Sequence, residues 1–116
     1  MTACYDLRTF RSVSNAPNGE VNTQTVFHYR QSGETVWATY EGGGIRFGQL
    51  LAKVAPDGSL DMRYQHLNHR GELMTGTCHS VPEVLPDGRL RLHETWQWTS
   101  GDYSSGESVV EEIQHP

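Results

Sequence analysis

The chain has no uninterrupted apolar run approaching the ~18 residues of a membrane span, and its opening, MTACYDLRTF, lacks the apolar stretch of a signal peptide. The expected compartment is therefore the cytoplasm, with no membrane partner. Basic residues are scarce and scattered. Nine Lys and Arg against fourteen Asp and Glu give a formal charge of −5, and no stripe is left that would neutralise nucleic-acid phosphates. Nucleic acid is not an expected partner. Cysteine is limited to Cys4 and Cys78 without a C-x-x-C pair, so neither a disulfide framework nor a zinc knuckle is indicated.

Motifs for chemistry are missing as well. The six histidines are dispersed and form no H-E-x-x-H; HLNH (66–69) straddles a strand end and a turn, and CHS (78–80) offers at most one inward group. No metal site is expected. No Ser or Cys occupies a G-x-S-x-G turn. Gly42, Gly43 and Gly44 are followed by no helix and no Walker lysine, so they read as a hairpin and not as a phosphate cradle. No cofactor is expected. Helical periodicity and helix-capping patterns are also nearly absent.

What the chain does have is turns at short, even intervals: APNGE (16–20), QSGE (31–34), EGGG (41–44), APDGS (55–59), NHRGE (68–72), LPDGR (85–89) and TSGDYSSGE (99–107). Proline presets φ, Asp accepts a local backbone hydrogen bond, and Gly takes the positive φ of short hairpin loops. Between them lie segments rich in Thr, Val, Tyr, Trp, Phe and Leu that alternate with period two. The pattern predicts strands over 7–14, 22–31, 34–41, 45–54, 59–67, 72–81, 89–98 and 107–113. Pro82 in SVPEVLP (80–86) cannot donate to a ladder and implies an edge or bulge. Gly48 in IRFGQLLAKV reads as a second bulge, which leaves open whether Arg46 or Ile45 and Phe47 face inward.

A meander this long has two unprotected edges unless it closes on itself. The expected fold is all-β, a single antiparallel up-and-down barrel of about eight strands. A two-sheet sandwich would need longer crossovers than these turns supply. At 116 residues the chain makes one domain over 1–116, with 1–6 and 114–116 expected as mobile ends.

An internal echo points to the interior. APDGSLDMRYQH (55–66) aligns with LPDGRLRLHETW (85–96), matching Leu60 to Leu90, Met62 to Leu92, Tyr64 to Glu94 and His66 to Trp96. In a meander these two strands run the same way with one between them, so matching positions face the same side. Leu60, Met62, Leu90 and Leu92 then form an apolar floor at the Pro-Asp-Gly end. Tyr64, His66, Glu94, Trp96 and Trp98 occupy the other half, with Tyr40 joining from 34–41 and the loops 15–20, 42–44, 68–71 and 99–106 around the mouth.

An apolar floor, aromatic walls and a few convergent polar groups describe a small-molecule pocket. The expected ligand is small and partly apolar, oriented by Glu94, His66, Tyr64 and Tyr40 and walled by Trp96 and Trp98. Two alternatives stay open. One is a small enzyme with Glu94 as base and His66 or Tyr64 as acid. The other is a filled barrel, with Glu94 paired to Arg46 or a tyrosine hydroxyl, serving as an oligomerising or interaction module; TVWATYEG must then turn either Trp37 or Tyr40 outward. DYSSGE (102–107) reads as a solvated loop or a lid over the mouth.

The segments TFRSVSNAPNGEVNTQTVFHYRQ, MRYQHLNHRGELMTGTC and LPDGRLRLHETWQWTSGDYSSGESVVEEI resemble a family of small bacterial proteins that genomes label N-acetylglutamate synthase. The likeness runs from Thr9 to Ile113, with ELMTG and WQWTSGD as its more specific parts. The label would imply an acetyltransferase, a mixed α/β domain with a glycine-bearing turn at a helix start. The strand-and-turn pattern has neither, so no activity carries over. TSG at the end of a Trp-containing strand also resembles avidin-like barrels, which implies a calycin-like (lipocalin- or avidin-like) barrel fold and no more.

Overall fold

Segments that alternate apolar and polar side chains between tight turns bury one face, and eight such strands form: β1 (Thr9–Asn15), β2 (Val26–Ser32), β3 (Thr35–Gly42), β4 (Ile45–Val54), β5 (Leu60–Asn68), β6 (Leu73–Val84), β7 (Leu90–Trp98) and β8 (Ser105–Glu112). The computed structural model describes residues 4–113. Each strand pairs antiparallel with the next, and β1 returns to β8 through Phe10 opposite Glu112 and Arg11 opposite Glu111. The sheet is therefore a closed up-and-down barrel, as expected, and closure removes both free edges.

The two Pro-Asp-Gly turns are copies of each other. Gly58 and Gly88 adopt φ of 88° and 91°, and their N–H groups donate to Ala55 O at 2.8 Å and Leu85 O at 2.9 Å. Asp57 and Asp87 accept the N–H two residues on, at 2.9 and 3.1 Å. Above these turns Leu60, Met62, Leu90 and Leu92 are all buried and pack with Val36, Ala52, Val54 and Val110 as the apolar floor.

Several local expectations are corrected. Leu7 is not in a strand: it takes φ of 63° and lies exposed in a turn ahead of β1. Residues 22–25 precede β2 rather than begin it, because the Thr25 hydroxyl is drawn to Gly42 O at 3.0 Å and its N–H to Asn22 O at 2.9 Å. β6 runs past residue 81 to Val84, while β5 stops pairing with it at Ser80. Pro82 therefore lies on a locally free edge, where its missing N–H leaves no gap in a ladder. The bulge in β4 is at Arg46 and not at Gly48, since Ile45 pairs with Asn68 and Phe47 with Leu67. Ile45 points inward and both Arg46 and Phe47 point out. In β3 it is Trp37 that faces solvent, beside Leu51 of β4, and Tyr40 that is buried.

Residues 1–3 and 114–116 of the expected mobile ends lie outside the described residues. Within 4–6 the chain is tied down. Tyr5 is fully buried beneath the floor, its hydroxyl donating to Gly58 O at 2.5 Å and its ring 6.0 Å from that of Tyr29. Asp6 accepts the Gln31 N–H at 2.9 Å, and Gln31 Oε1 accepts the Tyr5 N–H at 2.7 Å.

Candidate functional site

β5 and β7 flank β6 and run parallel to each other, so their echoed positions open onto one space. Tyr64 and His66 from β5, Glu94, Trp96 and Trp98 from β7 and Tyr40 from β3 line a single cavity of about 60 Å³ in the loop half of the barrel. All six residues picked from the sequence are brought together there. Phe27, Leu50 and Met62 supply its apolar wall. Ring centroids of Trp96 and Trp98 lie 5.6 Å apart, and those of Tyr64 and Trp98 5.8 Å.

Three glycines make room for this aromatic lining. Gly48 is the cross-strand partner of Tyr40, Gly76 of Tyr64, and Gly106 of Trp96. In each case an added Cβ would overlap the partner's ring. The rings lie across the neighbouring strand because nothing but backbone is beneath them. Gly76→Ala is expected to cost about 1 to 3 kcal/mol through overpacking, since the new methyl meets both the Tyr64 ring and Gln97 O. Urea denaturation would measure it. Gly33→Ala gauges turn strain alone, as a Cβ there has open space and only the left-handed φ of 58° opposes it.

Glu94 sits between two serines that are its register partners on either side, Ser80 of β6 and Ser108 of β8. Ser80 Oγ donates to Oε2 at 2.8 Å and Ser108 Oγ to Oε1 at 3.1 Å. The remaining exposure of Glu94 is to the cavity. Burial pushes its pKa above the ordinary carboxylate range, and the two hydroxyls oppose this only in part. Arg46 faces solvent, so the expected alternative pairing of Glu94 with it does not occur. The nearby Cys78 thiol is buried and likewise pushed up by desolvation.

His66 belongs to a second polar chain. Its Nε2 lies 2.8 Å from Glu20 Oε1 and its Nδ1 2.9 Å from the Tyr40 hydroxyl. Burial lowers the His66 pKa, although the bond to Glu20 works the other way. The neutral ring has one N–H, and an ionised carboxylate only accepts. Nε2 therefore donates to Glu20 and Nδ1 accepts from Tyr40. Both ring nitrogens are engaged, and His66 and Glu94 share no hydrogen bond. Glu20 Oε2 further accepts from Asn68 Nδ2 at 3.1 Å and from Arg70 at 3.0 Å.

Glu20 stands in the segment 16–22, and this strap covers the mouth. Trp98 Nε1 donates to Asn18 O at 3.1 Å, and Trp96 Nε1 to Asn15 Oδ1 at 3.2 Å. Asn18 Nδ2 in turn reaches Ser104 Oγ at 2.9 Å and Ser105 O at 3.0 Å. The loop 102–107 thus braces the strap from outside, with Tyr103 exposed, so DYSSGE is the solvated loop of the two options and the segment lying over the cavity is 16–22. Sequence reasoning missed Asn15, Glu20, Val21, Ser80 and Ser108. Ser80 and Ser108 are inward by strand parity, while Glu20 lies in a loop where alternation says nothing. Among the described residues no group of three His, Cys, Asp or Glu side chains is placed to hold a metal ion.

A family model described as "Avidin-like protein" matches residues 3–113. No curated protein and no solved structure matches the chain.

Proposed function

Because the chain belongs to the avidin-like family, we propose that its barrel is a receptacle for a small, partly apolar molecule held between Trp96, Trp98, Tyr64 and Tyr40. The supporting observation is the cavity itself, aromatic on its walls and polar at Glu94, in a barrel whose other half is filled by side chains, the floor aliphatics together with Phe10, Tyr29 and Tyr5. About 60 Å³ is room for a few water molecules or a compact chemical group. A larger ligand enters by displacing the strap, which is fastened by Trp98 on Asn18 O, by Glu20 on His66, Asn68 and Arg70, by Asn15 on Val21 O and by the packing of Ala16 and Val21. Opening it frees the Trp98 indole N–H and the His66 imidazole N–H at the mouth, where a ligand's acceptors would take the place of Asn18 and Glu20.

A fragment screen read on the two indole N–H resonances of Trp96 and Trp98 tests this. Hits should shift both resonances and raise Tm. Glu20→Ala should quicken hydrogen exchange over residues 16–22 and cost about 1 to 3 kcal/mol, because the buried His66 N–H loses its acceptor. In that variant ligand exchange should be faster than in the wild type. Silence of both proteins toward every compound class, with nothing retained by the protein on native mass spectrometry, would overturn the receptacle.

A further inference from the structure

We propose that the ligand presents a compact organic cation, an alkylammonium or amidinium head, to Glu94. This rests on the receptacle reading and adds the chemical class of what it holds.

A carboxylate enclosed in a barrel must be neutralised by a proton, by a fixed cation or by whatever enters beside it. Among the described residues no Arg, Lys or His forms an ion pair with Glu94; those that form ion pairs meet Glu20, Glu41, Glu72, Glu83, Glu111, Glu112 and surface aspartates. The nearest basic ring in the cavity, His66, is committed to Glu20 and Tyr40. Ser80 and Ser108 each donate one hydrogen bond, to different oxygens, which fixes the carboxylate plane without supplying charge. Each oxygen keeps acceptor capacity, and the cavity is the open side.

The rest of the lining suits the same guest. Trp96, Trp98, Tyr64, Tyr40 and Phe27 surround the space, and aromatic faces attract cations through the ring quadrupole, most strongly where water is excluded. An anionic head would meet Glu94 and the same negative ring faces. A neutral donor such as an alcohol would satisfy a carboxylate oxygen but gain nothing from the rings. The cavity volume admits an ammonium or methylammonium and leaves the apolar remainder of the molecule to extend toward the strap.

The test is a matched series of one chain length, butylammonium, butan-1-ol and butyrate, titrated into wild type and Glu94→Gln at neutral pH and followed on the indole N–H resonances. The ammonium should bind at least about tenfold tighter than the alcohol in wild type, with butyrate weakest. Glu94→Gln should erase that preference, the ammonium losing its advantage over the alcohol. Should Glu94→Gln fail to fold, the paired variant Ser80→Ala, which keeps the carboxylate, should retain the order of the series. Lowering the pH should weaken the ammonium alone, as Glu94 takes up its proton. Equal binding of ammonium and alcohol, or a preference that survives Glu94→Gln, overturns the cation and leaves the receptacle standing. Failure of the whole series to bind also overturns it, and the broader fragment screen then judges the receptacle separately.

Discussion

Replacing Tyr5 by alanine is expected to lower unfolding stability by about 3 to 5 kcal/mol, the largest loss at any residue outside the strands. The side chain is fully buried, packs 6.0 Å from Tyr29, and sends its hydroxyl to Gly58 O in the first Pro-Asp-Gly turn. Alanine would leave a void under the floor and an unpartnered carbonyl at a turn whose glycine already holds φ of 88°. Tyr5→Phe keeps the ring and removes only the hydrogen bond, so about 1 kcal/mol should be lost. Domains of this size have about 5 to 15 kcal/mol in total, so Tyr5→Ala should remove a substantial part of it and lower Tm by many degrees. Urea denaturation of both variants decides the matter. A Tyr5→Ala loss no larger than that of Tyr5→Phe would mean that the ring does not plug the barrel.

The burial of Tyr5 leaves no mark in the sequence. Strands announce themselves by alternation and turns by Pro, Asp and Gly, and those two signals were enough to place eight strands in a closing meander. The twin turns at 55–58 and 85–88 also fixed which end is apolar. MTACYDL carries neither signal: one tyrosine among polar and small residues has no period. Its burial follows from a gap beneath Leu60 and Leu90, which is a property of the closed barrel and not of the segment. Residues 22–25 went astray for a related reason. VNTQT alternates well enough for a strand, but an Asn-to-Thr turn with Thr25 bonded to Gly42 O carries the chain out of the strap before β2 begins.

The site divides along the same line. Tyr40, Tyr64, His66, Glu94, Trp96 and Trp98 lie on strands, and parity placed them on one side. Ser80 and Ser108 obey the same parity, yet only the register shows that they stand directly across from Glu94, and register depends on loop geometry. Gly48 illustrates the limit. A glycine in a strand signals either a bulge or a close approach; here the bulge is one turn of the pleat away at Arg46, and Gly48 lies under Tyr40. Recognising that Gly48, Gly76 and Gly106 each oppose an aromatic would have revealed the lining from the glycines alone.

The wild-type protein should lose stability relative to Glu94→Gln as pH rises above the ordinary carboxylate range. The folded-state pKa of Glu94 lies above its ordinary value of 4.5, so between those two values the folded protein holds a proton that the unfolded chain has released. Stability then falls with increasing pH by up to about 1.4 kcal/mol per pH unit, and the fall ends once the folded carboxyl ionises. His66 acts with the opposite sign. Its folded pKa lies below 6.5, so the unfolded chain binds the proton in that window; this contribution rises with pH and is complete above the unfolded value. The two slopes oppose each other in wild type, and the raw pH profile is a poor witness. The difference between wild type and Glu94→Gln cancels His66. It should be smallest near about pH 4 and grow in favour of the glutamine toward neutrality. A difference that stays constant from about pH 4 to about pH 8 would show that Glu94 ionises as easily inside the barrel as outside. The free energy that ionisation costs the empty barrel is also what a cation at Glu94 would offset, so the same carboxylate that weakens the fold at neutral pH strengthens its hold on a charged guest.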